Sequence, residues 1–173
     1  MAYHLIAENA AIRIRSFLPS DAEWIFAYSQ EPSTYRELPD EVFDSLEETR
    51  ETLNHFNQLA EAKEYPLVFC VAVPESDLPI GHVSLSLLRK NAIEIGYAIG
   101  EKHQGKGYGQ IAAALFTQWA LNQFGLPALY GVVKESNPAS IRCLESAGYT
   151  LLKQEERNCF GGQYRIREYR KDR

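Results

Sequence analysis

The 173-residue sequence has few cysteines, no excess of positive charge and no long apolar run. Cys70, Cys143 and Cys159 form no CxxC pair, which argues against a disulfide framework or zinc site and favours reduced cytosolic thiols. The net charge of −5 argues against a nucleic-acid partner. No segment approaches the ~20 apolar residues of a membrane span, and no signal peptide is evident. We therefore expect a cytoplasmic protein with no metal, nucleic-acid partner or membrane anchor.

Strand and helix patterns alternate along the whole sequence. The strand patterns are "AIRIRSF", "YPLVFCVAVP", "GHVSLSLL", "NAIEIGYAIG", "PALYGVVKE", "YTLLKQEER" and "QYRIREYR", with "NCFGG" as the turn of a closing hairpin. One predicted helix starts at Ser20, with Glu23 completing a capping box. Further helices are predicted over residues 46–63, 110–125 and 137–148. This order predicts an α/β protein (α+β by some schemes), with one domain over residues 1–173.

The stretch "EKHQGKGYGQ", residues 101–110, places three glycines in five positions between a strand and a helix. It is not a Walker A loop, because no Gly-Lys-Ser/Thr follows at the required spacing. The GxGxG spacing also differs from the GxGxxG of dinucleotide-binding folds. Two readings stay open: a tight turn without a ligand, or a phosphate site. The helix start with its free N–H groups and Lys106 favour a pyrophosphate.

The glycine cluster and the segment after it resemble the GCN5-related N-acetyltransferase (GNAT) superfamily. "QGKGYG" fits the family's Q/R-x-x-G-x-G/A signature, which binds the pyrophosphate of acetyl-coenzyme A (acetyl-CoA). "NPASIRCLESAGY" is similar to the next family segment, and "IRIRSFLPSDAEWIF" to the first strand and helix. Within the superfamily, these segments most resemble the RimJ/RimL type of ribosomal-protein N-terminal acetyltransferase.

The resemblance implies both a fold and a cofactor site. The fold would be a mixed, mostly antiparallel sheet of about seven strands, splayed between the fourth and fifth, with helices on both faces. Acetyl-CoA would be held by three groups of residues. The resemblance assigns the pyrophosphate to Gln104, Gly105, Lys106, Gly107, Tyr108 and Gly109, the pantetheine to backbone groups of Tyr97, Ala98 and Ile99, and the rest of the arm and the sulfur to Asn137 and Ser140.

Glu94 is the candidate general base. In "NAIEIGYAI" the apolar face carries isoleucines and Tyr97, whereas Glu94 shares the other face with Gly96 and Ala98. A carboxylate beside small residues suits a cleft, where partial burial would raise its pKa. The alternative is a strand-end glutamate paired with Arg89 or Lys90.

The general acid is less evident. Many family members use a tyrosine further along the chain as the general acid. Here Tyr149 follows Gly148, which ends the predicted helix, and falls in the next strand, so Ser140 is the candidate. Asn137 and Ser140 also suit a helix cap. Cys143 would allow a covalent route, but a cysteine inside a helix is more often a small apolar residue.

Residues 37–51 carry seven acids, Glu37, Asp40, Glu41, Asp44, Glu47, Glu48 and Glu51, against Arg50 alone. They form a solvated helix face or, if they flank the acceptor cleft, favour a cationic acceptor. The predicted function is acetyl transfer from acetyl-CoA to a primary amine: a protein N-terminus, a polyamine or a small-molecule amine. The alternatives are a non-catalytic acyl-CoA-binding domain and a nucleotide-binding protein. Whether the chain forms a homodimer stays open.

Overall fold

A computed structural model describes residues 4–159 and 162–173. Within these residues the chain forms eight strands and five α-helices. The strands are β1 (Leu5–Glu8), β2 (Arg13–Arg15), β3 (Leu67–Ala72), β4 (Pro79–Arg89), β5 (Ala92–Ile99), β6 (Ala128–Lys134), β7 (Thr150–Cys159) and β8 (Gly162–Asp172). The helices are α1 (Ala22–Ser29), α2 (Pro32–Glu37), α3 (Leu46–Ala62), α4 (Tyr108–Phe124) and α5 (Pro138–Ser146).

The strands form one mixed sheet in the order β1-β2-β3-β4-β5-β6-β8-β7. The β5–β6 pair is parallel and the remaining neighbours are antiparallel. This confirms the predicted mostly antiparallel sheet and adds an eighth strand, β1. The predicted closing hairpin is β7–β8, although the centre of its "NCFGG" turn, residues 160–161, lies outside the described residues.

β3 is buried on both faces, as its continuous apolar run predicts. Leu67, Phe69 and Val71 pack in the core cluster that includes residues of α4. The alternate residues Val68, Cys70 and Ala72 pack in a second cluster with residues of α1 and α3. Helices therefore cover both faces of the sheet, and one hydrophobic core lies between the sheet and the helices on each face.

The predicted cap at Ser20 is wrong. A 3-10 turn, Pro19–Asp21, precedes α1, and the Asp21 carboxylate accepts the Leu18 N–H at 2.8 Å. The same carboxylate pairs with the Arg15 guanidinium, 2.6 Å from it, and both side chains are almost fully buried. A buried guanidinium needs a charged partner, and the pairing with Arg15, six residues earlier, accounts for the aspartate at position 21.

Two other predicted helix ends are confirmed, although α4 begins at Tyr108, before the predicted residue 110, and α5 ends at Ser146, before the predicted residue 148. α4 ends at Gly125, which takes a left-handed conformation with φ of 59°. In α5 the Asn137 side chain caps the helix by accepting the Ser140 N–H at 3.0 Å. No helix in the described part of the chain is both long and apolar enough to cross a membrane.

We expect α4 to depend on Phe116, which is fully buried against the edge of Phe69, with 5.9 Å between the ring centroids. Phe116→Ala should lower the free energy of unfolding by about 3–5 kcal/mol, because it removes apolar contact and leaves a cavity. Gln118→Ala, at an exposed position of the same helix, should change it by less than about 0.5 kcal/mol. Urea denaturation measures both, and similar values for the two variants would contradict this packing.

Candidate active site

A deep cleft opens where β5 and β6 separate. It has a volume of about 720 Å³ and is lined by β5, β6, the glycine-rich loop, the start of α5 and part of α2. In the described chain the two strands share one registered pair, Glu94 with Tyr130. Beyond that pair the edge of β5 faces the cleft, so the predicted splay between the fourth and fifth predicted strands is confirmed at β5–β6.

The cleft brings together the predicted site residues with one exception. Its lining includes Glu94, Tyr97, Ala98, Ile99, Gln104, Gly105, Gly107, Tyr108, Gly109, Asn137 and Ser140. Lys106 is exposed and does not contribute to that lining. Elements far apart in sequence, β5, the loop before α4 and the start of α5, therefore meet around one cavity.

The glycine-rich loop has a backbone that requires glycine. Gly105 and Gly107 have φ of +76° and +82°, and no described atom lies within 4 Å of a Cβ built at either position. Gly107 is the N-cap of α4, and its carbonyl accepts the Ile111 N–H at 3.1 Å. The first N–H groups of a helix lack partners within it and carry positive partial charge. An open backbone at this position fits a pyrophosphate.

Gln104 holds this loop against β5. Its Nε2 donates to the Ile99 carbonyl at 2.8 Å. That carbonyl already has a partner, so the predicted contact of Ile99 with pantetheine is restricted to its remaining hydrogen-bonding capacity. The signature glutamine therefore positions the loop as well as lining the cleft.

Ser140 and Tyr97 form a hydroxyl pair at the start of α5. The Tyr97 hydroxyl lies 2.9 Å from the Ser140 carbonyl oxygen and 2.9 Å from Ser140 Oγ. Burial raises the pKa of Tyr97, so its hydroxyl stays protonated near neutral pH. The sequence predicted a backbone role for Tyr97 and missed this side-chain contact. The sequence feature that could have predicted this contact is the position of Tyr97 on the apolar face of β5, where a buried tyrosine hydroxyl needs a hydrogen-bond partner.

Two other candidates for chemistry are in unfavourable surroundings. Tyr149 is almost fully buried, and its hydroxyl bonds Thr117 Oγ1 at 2.8 Å instead of lining the cleft. Cys143 does line the cleft, but burial raises the pKa of its thiol. The thiolate is the nucleophilic form, so Cys143 is a weak nucleophile at neutral pH.

Glu94 combines access to the cleft with partial burial. Burial raises its pKa to about 7, although a hydrogen bond with the Val132 backbone and the charge of Arg157 act in the opposite direction. The predicted alternative, an ion pair with Arg89, is wrong: Arg89 pairs with Glu168 at 2.8 Å. A carboxylate with this pKa can accept a proton near neutral pH.

The seven acids of residues 37–51, here called the acidic segment, do not form one surface. Of these acids, Glu37 is the one that lines the cleft within the described chain, and its carboxylate lies 3.6 Å from Lys134 Nζ. Glu48 accepts the Asp44 N–H at 2.7 Å before α3. Glu47 lies 3.5 Å from Arg50. The solvated-face interpretation therefore holds for Glu47, and Glu48 stabilises a helix start.

No group of three or more His, Cys, Asp or Glu that could hold a metal ion occurs in residues 4–159 and 162–173. Cys70, Cys143 and Cys159 are free thiols. Acetyl-CoA, in contrast, fits what is present: the open glycine backbone at the start of α4 and the strand edge that β6 leaves exposed.

Comparisons with known proteins agree with this site. The sequence profile of the acetyltransferase (GNAT) domain matches residues 11–150. An uncharacterised N-acetyltransferase, p20 of Bacillus licheniformis, is 23% identical over 140 residues, which cover 80% of this chain and 78% of that protein.

Two solved structures share the fold. One is RimL, a ribosomal-protein α-amino acetyltransferase in complex with coenzyme A, with a TM-score of 0.82 and 16% identity over 98% of both chains. The other is MccE, a microcin self-immunity acetyltransferase in complex with acetyl-CoA and AMP, with a TM-score of 0.81 and 17% identity over 95% of this chain and 94% of that one. The profile match over most of the sequence shows that this chain belongs to the GNAT family and is an acyl-CoA N-acyltransferase.

Proposed function

We propose that this enzyme transfers the acetyl group to a primary amine by direct attack in a ternary complex, with Glu94 as the general base. The observation that supports it most is the position of Glu94. It lies in the cleft at the point where β5 and β6 separate, and burial brings its pKa to about 7. A base with this pKa accepts a proton from an ammonium group or a water at neutral pH.

The proposed reaction needs two proton transfers. The amine loses one proton to Glu94, directly or through a water, and its nitrogen then bonds to the thioester carbonyl carbon as the carbon–sulfur bond breaks. The departing thiolate takes a proton from the Ser140 hydroxyl, which is hydrogen-bonded to Tyr97. Ser140 regains this proton from water and Glu94 releases its own to water, so the enzyme returns to its starting state. A backbone N–H of β5 stabilises the negative charge that develops on the carbonyl oxygen.

The chain's own backbone supplies the proposed acetyl-CoA site. The loop from Gln104 to Gly109 and the first turn of α4 would bind the pyrophosphate. The free edge of β5 at Tyr97, Ala98 and Ile99 would bond the pantetheine amides. Asn137, whose side chain caps α5, would stand beside the arm. Lys106 is exposed, so it would approach the phosphates from the rim.

The acceptor is a primary amine of a protein N-terminus, a polyamine or a small molecule. The cleft carries both signs of charge, with Glu37 and Glu94 opposed by Arg36, Lys134 and Arg142. Release of free thiol from acetyl-CoA, measured with a panel of these three amine classes, would identify the acceptor. Binding of coenzyme A without thiol release for any amine would favour a non-catalytic acyl-CoA-binding domain instead.

We expect Gly107→Val to abolish coenzyme A binding while the protein still unfolds cooperatively. A side chain there would occupy the space proposed for the pyrophosphate. Gly125→Val is the matched control, since Gly125 is also left-handed, with φ of +59°, but lies at the other end of α4. Both variants should lose about 1–2 kcal/mol of stability through backbone strain. Calorimetric titration and thermal melting separate these effects, and unchanged affinity in Gly107→Val would exclude the pyrophosphate assignment.

Glu94→Gln keeps the size of the side chain but removes the proton acceptor. We expect kcat to fall roughly 10²- to 10⁴-fold at neutral pH, with little change in coenzyme A affinity. In the native enzyme the rate should rise with pH through about 7, because Glu94 accepts a proton only when ionised. Cys143→Ser should retain activity, since direct attack does not use the thiol. Native turnover of Glu94→Gln at every pH would rule out this base.

We propose that Glu37 favours a cationic acceptor. A carboxylate at the cleft attracts a protonated amine, and added salt weakens the attraction of an exposed charge. Glu37→Gln should raise KM for a diamine by roughly two- to fivefold and change KM for a monoamine less. Glu47→Gln, which removes the same charge from α3, should have no effect. Equal KM changes for both amines would show that Glu37 does not select charge.

A further inference from the structure

A charge cluster around one buried carboxylate lies on one face of the sheet beside the cleft. At its centre is the fully buried Glu168 carboxylate, with Arg89 at 2.8 Å, Arg157 at 3.0 Å and Lys153 at 3.6 Å. Glu155 joins the cluster through Arg157, at 2.6 Å, and Lys153, at 2.9 Å. We call these five residues the Glu168 cluster. It unites β4, β7 and β8 around two carboxylates and three cations.

The Glu168 cluster is separated from Glu94 by a single intervening strand, β6. The Val132 backbone favours the ionised form of Glu94, and Val132 is registered directly opposite Glu168. Tyr130, the registered partner of Glu94, has the Arg89 guanidinium over its ring, 4.8 Å from the centroid. Because cross-strand partners share a face of the sheet, the cluster and Glu94 lie on the same face, with Tyr130 and Val132 between them.

The cluster does not touch the space proposed for the substrates. Within the described residues, Glu94 and Val132 line the cleft, whereas none of the five cluster residues does. Any effect on the reaction must therefore act through Glu94. The three cations of the cluster are 26–46% exposed, and ion pairs of exposed groups add little stability, so stability alone is a weak explanation for the cluster.

We propose that Arg157 and Glu168 are positioning residues that set the charge state of Glu94, and thereby the pH range in which the enzyme works. This inference rests on the proposed function of Glu94 as the base. The two residues act in opposite directions: the guanidinium favours the ionised carboxylate, and the Glu168 carboxylate opposes it.

The signs follow from the surrounding charges. Burial raises the pKa of Glu94 to about 7, the charges of Arg157 and Arg89 lower it, and the charge of Glu168 raises it. Burial alone would raise the pKa of Glu168, but the ion pair with Arg89 and the hydrogen bond from Arg157 hold it below its usual range, so this carboxylate stays ionised. The groups facing Glu94 comprise Arg89 from β4, Glu168 from β8, Arg157 and Cys159 from β7, and Arg36, Glu37 and Lys134 around the cleft.

The test measures ionisation of Glu94 directly, by carbon NMR of glutamate side-chain carboxyls in the full chain. Glu94→Gln identifies the Glu94 signal. We expect Glu168→Gln to lower its titration midpoint, because Arg89 and Arg157 lose their acidic partner. Arg157→Gln should raise it, because one cation is lost. Shifts of about 0.5 pH unit or more are expected, because β5 and β8 are neighbours of the same strand β6 and so lie roughly 10 Å apart.

Arg165→Gln is the matched control. It also removes one positive charge from the β7–β8 hairpin, but Arg165 is exposed, pairs with Glu135 and belongs to the alternate residues of β8. Its titration midpoint should equal that of the native protein. The pH at which kcat/KM rises should move in parallel, down in Glu168→Gln and up in Arg157→Gln.

The outcomes separate the two proposals. If Glu94→Gln is inactive but neither charge variant moves the Glu94 midpoint, the positioning role is wrong and the base assignment stands. If the midpoint moves but Glu94→Gln remains fully active, the proposed function is wrong. If Glu168→Gln does not fold, Arg157→Gln decides alone, because Arg157 is partly exposed. A midpoint that falls or stays constant in Arg157→Gln overturns the inference.

Discussion

The separation of β5 from β6 beyond the Glu94–Tyr130 pair is the constraint on which the site depends. Two neighbouring strands can part without loss of the fold only if each is held on its other edge. β5 is registered with β4 from Ile99 back to Ala92, and β6 with β8 along its whole length. The polar backbone groups on the free edge then need another partner. Amide groups of an extended ligand can supply it, which is why the acetyl-CoA site is expected there.

The acids of residues 37–51 illustrate how a charge run loses its collective field when several of its members have separate partners. Glu41 pairs with the buried His82 at 3.3 Å, and this partner raises the pKa of His82 against the effect of burial. Glu48 supports the start of α3, and Glu47 pairs with Arg50. Charge counted along the sequence therefore overstates the negative potential at the cleft, where Glu37 remains but lies beside Lys134.

Local patterns predicted the parts of the structure that depend on local physics. The apolar run of β3, the glycine that ends α4 and the Asn137 cap require only neighbouring residues, and all three are present. β1 was missed because four half-exposed residues carry little periodicity. The contact of the Tyr97 hydroxyl with Ser140 and the pairing of Arg89 with Glu168 link residues 43 and 79 positions apart. Alternation predicts the face of a strand, but not the partner that a long side chain reaches.

Small residues lie on both strands of the β4–β5 pair. Gly96 and Ala98 line the cleft beside Glu94, where their size leaves room for a ligand. On β4, a Cβ at Gly81 would lie 2.1 Å from the Ala98 carbonyl oxygen. That oxygen belongs to the backbone, so the close approach of β4 to β5 requires glycine at this position. Tight pairing on this edge holds β5, the strand that carries the base, in place while its other edge stays free.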